Sequence, residues 1–320
     1  MTDLVLSPDV SASLIQRFHV FPMKQILILL LLIVSCLGLL SGCGRAAADS
    51  DLRSVWVTIL PQKFFVERIA GDAVTVDVLV RAGQSPELYA PSAAQMARLA
   101  RADLFFGIGV PVEAAIFPRM ARSMPGVRVL STGPLDPYST FACGGDHDHD
   151  HDHAHHHEGA DPHVWVDPVI MAGVVAEIRD ALIAIDPANA NRYRENTAIL
   201  VAELEALDAE LKAQFAPYAE RAFYINHPSL GYFAERYGLR QVSIEQAGTD
   251  PSARRIANLV AHARADAVGA ILQQPEFGRS SASVLSRALE VPVIEVNPLA
   301  EDYINNMRDM ADAVERSFAR

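Results

Sequence analysis

Seven of the eleven histidines in this 320-residue chain stand between positions 147 and 157. The run DHDHDHDHAHHHEGAD (146–161) interleaves His147, His149, His151, His153, His155, His156 and His157 with six carboxylates. Imidazole nitrogen and carboxylate oxygen both ligate zinc and similar divalent ions. A polar, flexible tract offers many transient ligand sets and no fixed geometry, so it suits several modestly bound ions. A tight site needs donors fixed by folded elements. His163, in DPHVW directly after the tract, and His227, in NHPS after the strand-like segment 221–225, are placed for that. A lone histidine is more often structural, so the pair gains weight only if the fold brings its members together. His262 sits within a helical stretch, and Cys143 beside the tract reads as an isolated thiol. Hydrolytic zinc chemistry would want a general base, often as H-E-x-x-H on one helix. That motif is absent, as are G-x-S-x-G and a Walker A loop, and Gly107-Ile108-Gly109 lacks the third glycine of a dinucleotide fingerprint.

The elements that must hold these donors alternate in type. Short apolar or alternating runs at 55–59, 74–80, 104–108 and 127–130 predict strands, with helical stretches at 62–70, 92–100 and 112–123. Ser92 and Gln95 have capping-box spacing. Residues 136–161 break the pattern and read as a loop. Helical stretches follow at 168–185 and 189–215, the second with Leu200, Leu204, Leu207 and Leu211 along one face. Strands at 221–225, 241–244, 267–272 and 293–296 then alternate with helices at 230–237, 252–264, 280–289 and 301–318. Such alternation predicts an α/β fold of two βα lobes with mainly parallel sheets, joined by a long rigid helix. The expected organisation is a lobe over 54–166 that includes the loop, a linker helix over 167–187 and a second lobe over 188–320. Ligands of open α/β sheets lie beyond the carboxyl ends of strands, which places the site in the cleft between lobes.

Charge and targeting narrow the function further. The balance 27 − 39 = −12 argues against nucleic acid as a partner. Residues 26–40 are apolar and uncharged, preceded by Lys24. Fifteen residues are short for a membrane span of about 20 but suit a signal-peptide core. The run ends Leu40-Ser41-Gly42-Cys43, which resembles the lipobox of bacterial lipoproteins, where the cysteine is lipidated and becomes the first mature residue. Residues 1–42 are therefore expected to be a signal peptide with an upstream extension, and 43–53 a lipidated tether. With three cysteines in all, and Cys36 inside the leader, no internal disulfide framework is expected.

GQSPELYAPSAAQMARLARADL (83–104), DPHVWVDP (161–168), NHPSLGYFAERYGL (226–239) and VIEVNPL (293–299) together resemble, in that order, the periplasmic zinc- and manganese-binding receptors of ABC transporters. The acidic histidine tract before DPH is similar to that of the zinc-uptake members. The resemblance implies two lobes with one buried metal between them. It implies ligands at Glu87, where the family usually has histidine, at His163, at His227, and at Asn297, where the family usually has aspartate. The count of one negative charge survives these departures because the carboxylate has changed lobes. Asn offers zinc only a weak neutral carbonyl, so water or a carboxylate near a strand end (Glu276, Glu295 or Asp302) could take its place. The implied protein is no enzyme. It is a periplasmic or extracytoplasmic, lipid-anchored, monomeric zinc receptor that feeds an ABC permease and its ATPase. The alternatives are a manganese receptor of the same class and a zinc-buffering or adhesion lipoprotein.

Overall fold

The computed structural model describes residues 52–131, 161–245, 249, 251–278 and 280–318. The leader, Cys43 and the histidine tract lie outside the described residues. In chain order the first lobe comprises β1 (Arg53–Val57), α1 (Leu60–Ala70), β2 (Val74–Val78), α2 (Ala93–Leu99), β3 (Leu104–Gly107), α3 (Pro111–Ser123) and β4 (Arg128–Ser131). After the histidine tract come α4 (Pro168–Ile185) and α5 (Ala190–Phe215). The second lobe comprises β5 (Ala222–Ile225), α6 (Gly231–Arg236), β6 (Arg240–Ser243), α7 (Ala253–Ala265), β7 (Ile271–Gln273), α8 (Ser280–Leu289), β8 (Val293–Glu295) and α9 (Tyr303–Arg316).

Both sheets are parallel and share one topology. Their strand orders are β2-β1-β3-β4 and β6-β5-β7-β8. The chain reverses its direction of winding at β1/β3 in one lobe and at β5/β7 in the other, so each lobe has a topological switch point. LFFG of β3 and AFYI of β5 are buried at every position, as expected of central strands flanked by helices. Asp167 caps α4 by accepting from Val169 N and Ile170 N, with Pro168 at the first helical position, where its missing N–H costs nothing.

The joining element is the run Pro187–Asn189, α5 and Ala216–Tyr218. Its 26-residue helix spans about 39 Å. At one end Asn196 Nδ2 donates to Ile69 O of α1 at 2.9 Å. At the other, Arg308 of α9 pairs with Glu210 at 2.9 Å. The linker expected over 167–187 instead covers α4, one helix earlier. Sequence shows two long helical stretches in succession, and only contacts reveal which of them reaches both lobes. Leu200, Leu204, Leu207 and Leu211 are buried, and the core they join continues from Val55 and Phe106 to Phe223 and Leu272. Cross-lobe contacts reinforce it, with the rings of Phe65 and Tyr303 4.6 Å apart and Lys63 Nζ 2.5 Å from Glu301. No helix among the described residues is long and apolar enough to cross a membrane.

Candidate metal centre

Glu87 reaches the cleft on the loop after β2. Leu79 N and Val80 N first extend the sheet by donating to Val57 O and Thr58 O, each at 2.9 Å. The chain then turns at Gly83, whose φ of +74° lies in the left-handed region that glycine tolerates. Gln95 holds the far end of the loop, its Nε2 donating to Leu79 O at 3.1 Å and to Tyr89 Oη at 2.7 Å. The hydroxyl of Ser85 donates to the Glu87 carboxylate.

His163 is fixed by its own motif. Asp161 Oδ1 accepts from His163 N at 2.9 Å and pairs with Nδ1 at 2.6 Å. Tyr232 Oη donates to Asp161 O at 3.3 Å. Trp165 packs beside the imidazole, ring centroids 5.1 Å apart, and donates Nε1 to Pro298 O of the other lobe at 2.9 Å. Gly231 gives Asp161 room, since a Cβ on it would lie 3.1 Å from Asp161 Oδ2 and press on that carboxylate.

His227 follows β5, and its Nδ1 pairs with Glu245 Oε1 at 2.5 Å. Gln274, after β7, clasps the loop from both sides. Its Oε1 accepts from His227 N at 3.2 Å and its Nε2 donates to His227 O at 2.6 Å. Phe277 stacks on the imidazole at 4.5 Å and 17°. Each histidine thus commits Nδ1 to a carboxylate and turns Nε2 toward the cleft, which is how outer partners orient metal-ligating imidazoles.

The three free donors converge. His163 Nε2 and His227 Nε2 are 3.3 Å apart, and Glu87 Oε1 lies 3.7 Å from the first and 3.5 Å from the second. A tetrahedron with bonds of about 2.0–2.1 Å has edges of about 3.3–3.4 Å. The triangle therefore already has nearly the edge lengths of a four-coordinate zinc site. The cavity they line measures about 20 Å³, room for little more than one ion or water.

Electrostatics matches the geometry. Burial opposes ionisation of Glu87, but hydrogen bonding to His163 and His227 outweighs it and holds the carboxyl well below the usual range. Burial alone would lower the pKa of His163, yet Asp161 and Glu87 push it up to about 9. His227 is likewise raised, burial being overcome by Glu245 and Glu87. A divalent cation entering here replaces protons that the cluster would otherwise hold.

Glu87, His163 and His227 are thus brought together, and Asn297 is not among the residues lining the cavity. Asn297 Oδ1 accepts from Leu299 N at 3.0 Å, closing an Asx turn, and the cavity wall at that end is Pro298 and Leu299. Asn in the sequence Asn-Pro-Leu satisfies its own backbone more readily than a distant ion. Sequence reasoning gave no role to Asp161 or Glu245. Asp161, two residues before His163, carried a local signal, whereas Glu245 meets His227 only through the pairing of β5 with β6.

Residues 55–317 match the family model described as zinc-uptake complex component A, periplasmic. The chain belongs to that family. Among relatives of the zinc-uptake family, the zinc-binding lipoprotein AdcA of Streptococcus pneumoniae is 30% identical over 305 residues, spanning 90% of this chain. The chain spans only 60% of AdcA's length. A crystal structure of ZnuA superposes with a TM-score of 0.73 at 28% identity, covering 84% of this chain and all of that one. The Zn(II)-bound ZnuA-like domain of S. pneumoniae AdcA gives a TM-score of 0.67 at 25% identity, covering 84% and 100%.

Proposed function

We propose that this protein is an extracytoplasmic receptor that binds zinc and delivers it to an ABC permease and its ATPase for import, without catalysing a reaction of its own. The observation that carries the reading is the triangle of Glu87, His163 and His227, whose sides match a tetrahedral zinc site in a cavity of one-ion size. Family membership and the zinc named for AdcA and its ZnuA-like domain support it. The acidic histidine tract with His147, His149, His151, His153, His155, His156 and His157 is the auxiliary collector, raising the local zinc concentration beside the tight site. Cys43, as a lipid anchor, keeps the receptor near its permease.

Equilibration of the purified protein with limiting zinc and excess manganese, followed by metal analysis, tests the reading. The expected result is one tightly held zinc per chain that manganese does not displace. Preferential retention of manganese, or absence of any tight ion, contradicts it. For the anchor, Cys43→Ser is expected to release the protein from the membrane fraction with zinc binding intact, and unchanged retention contradicts lipidation there.

A further inference from the structure

The switch point of the second sheet lies between β5 and β7, and both strands deliver a side chain to the same cavity. β5 delivers His227. β7 delivers Glu276, which lines the cavity together with Glu87, His163 and His227. Glu276 Oε1 is buried and has no hydrogen-bond partner. An unpaired carboxylate oxygen shut away from water is costly, and an ion site is one of the few reasons a protein keeps one.

We propose that Glu276 is the fourth protein ligand of the cargo ion, filling the coordination position that Asn297 leaves open. The assignment rests on the reading of the Glu87, His163 and His227 cavity as the zinc site. Those three donors lie within 4.8 Å of one another as a group, and Glu276 stands outside the group. Ligation requires its side chain to turn toward the three donors, and no hydrogen bond at Oε1 opposes that. The backbone that carries it is already braced against His227. Gln274 clasps the His227 loop, and Gln273 Nε2 donates to Gln274 O at 2.9 Å and to Phe277 O at 3.3 Å. Carboxylate oxygen is a competent zinc ligand at about 2.0–2.2 Å.

The test compares the full-length protein with Glu276→Gln, Asn297→Ala and His227→Ala. Zinc affinity is read by chelator competition, and coordination by the visible absorption of the cobalt(II)-loaded protein. Thermal melting of the metal-free variants shows that each is folded. Glu276→Gln is expected to weaken zinc at least about tenfold, because even outer-shell changes at metal sites cost about 10–100-fold. It is also expected to change the cobalt spectrum as water or amide replaces carboxylate, while Asn297→Ala leaves both readouts at parental values. A parental Glu276→Gln alongside a His227→Ala that no longer binds overturns the Glu276 assignment and leaves the receptor reading standing. A weakened Glu276→Gln with an unchanged spectrum also overturns ligation, since the residue then acts only through its charge. Parental binding in both Glu276→Gln and His227→Ala overturns the cavity reading itself.

Discussion

The two lobes repeat one strand order, yet their switch points hold glutamates in opposite conditions, Glu113 buried and Glu276 half-buried. In the first lobe Glu113 sits between the ends of β1 and β3 with both carboxylate oxygens engaged. Thr58 Oγ1 donates to Oε1 at 2.5 Å, Ile108 N to Oε1 at 2.7 Å and Gly109 N to Oε2 at 2.9 Å. In the second lobe Glu276 sits beyond β7, beside the His227 loop that follows β5, with Oε1 unpartnered. Burial pushes both carboxyls up. The difference lies in what answers the burial. The first crevice is plugged by the protein's own donors and serves architecture. The second is left open toward Glu87, His163 and His227, the proposed zinc site. Topology offers a binding crevice twice, and side-chain satisfaction decides which one is used.

The comparison breaks most sharply at the two groups with the clearest roles. Glu113→Ala leaves the buried Ile108 N–H without its acceptor, frees the Gly109 N–H and leaves the Thr58 hydroxyl only Phe106 O, at 3.4 Å, and a buried unsatisfied donor costs about 1–3 kcal/mol. The expected loss is about 1–3 kcal/mol of stability by denaturant unfolding, with parental zinc affinity in the molecules that remain folded. His227→Ala should do the reverse, losing more than about a hundredfold in zinc affinity. Its metal-free unfolding midpoint should stay close to parental. Loss of zinc binding in a folded Glu113→Ala would show that the first crevice also serves the metal.

Glu245→Gln sharpens the contrast at the next level. It removes the carboxylate that holds His227 Nδ1 but keeps the shape, and the expected cost is about 10–100-fold in zinc affinity. The pH profile should flatten with it, because Glu245 is the leading contributor to the raised pKa of His227. Equal losses at every pH would reduce Glu245 to a packing residue.

How much of this was legible in the sequence follows from what each signal depends on. Every strand and α-helix among the described residues was visible as an apolar run or a helical period, because these are local, although the run at 267–272 begins four residues before β7. His163 and His227 stood out against strand ends, and the motif around Glu87 marked its loop. Their convergence was not legible from composition or period, since 64 residues separate His163 from His227 and the contact exists only once the lobes pack. The linker was placed one helix early for a related reason, because α4 and α5 look alike until α5 meets α9. The motif around Asn297 marks its backbone position, while the bond from Leu299 N to its Oδ1 is a property of the folded turn. Glu276 entered only as one of three carboxylates near strand ends. What singles it out is an unsatisfied oxygen, a property of the folded interior alone.

The cluster's protons give a prediction of intermediate size. With its pKa pushed up to about 9, His163 is protonated at neutral pH in the metal-free protein, so zinc must displace that proton. Apparent zinc affinity should rise about tenfold per pH unit from neutrality toward about pH 9 for each proton displaced, then level off. The sign reverses for the metal-free fold. A raised histidine pKa stabilises the folded state fully below its unfolded value of 6.5, and the stabilisation fades as pH climbs through about 9. Calorimetry in buffers of different ionisation enthalpy measures the protons released. Zinc binding at pH 7 with no proton release contradicts the protonated cluster.

The smallest effect belongs to Gly231. A methyl group there meets Asp161 Oδ2 at 3.1 Å, so the carboxylate that orients His163 must yield by a few tenths of an ångström. Gly231→Ala should weaken zinc below the loss seen for Glu245→Gln, while leaving the His227 side of the site intact. An affinity equal to the parent's would show that the Asp161 contact has slack.

The central claim is that one tight zinc site is built by the fold, apart from the histidine tract. It is tested most directly by chelator-competition titration of a protein lacking 146–158, with and without His227→Ala. The account predicts one tight zinc per chain after the deletion and none once His227 is also removed. Tight zinc that disappears with the tract, or that survives the loss of His227, contradicts it.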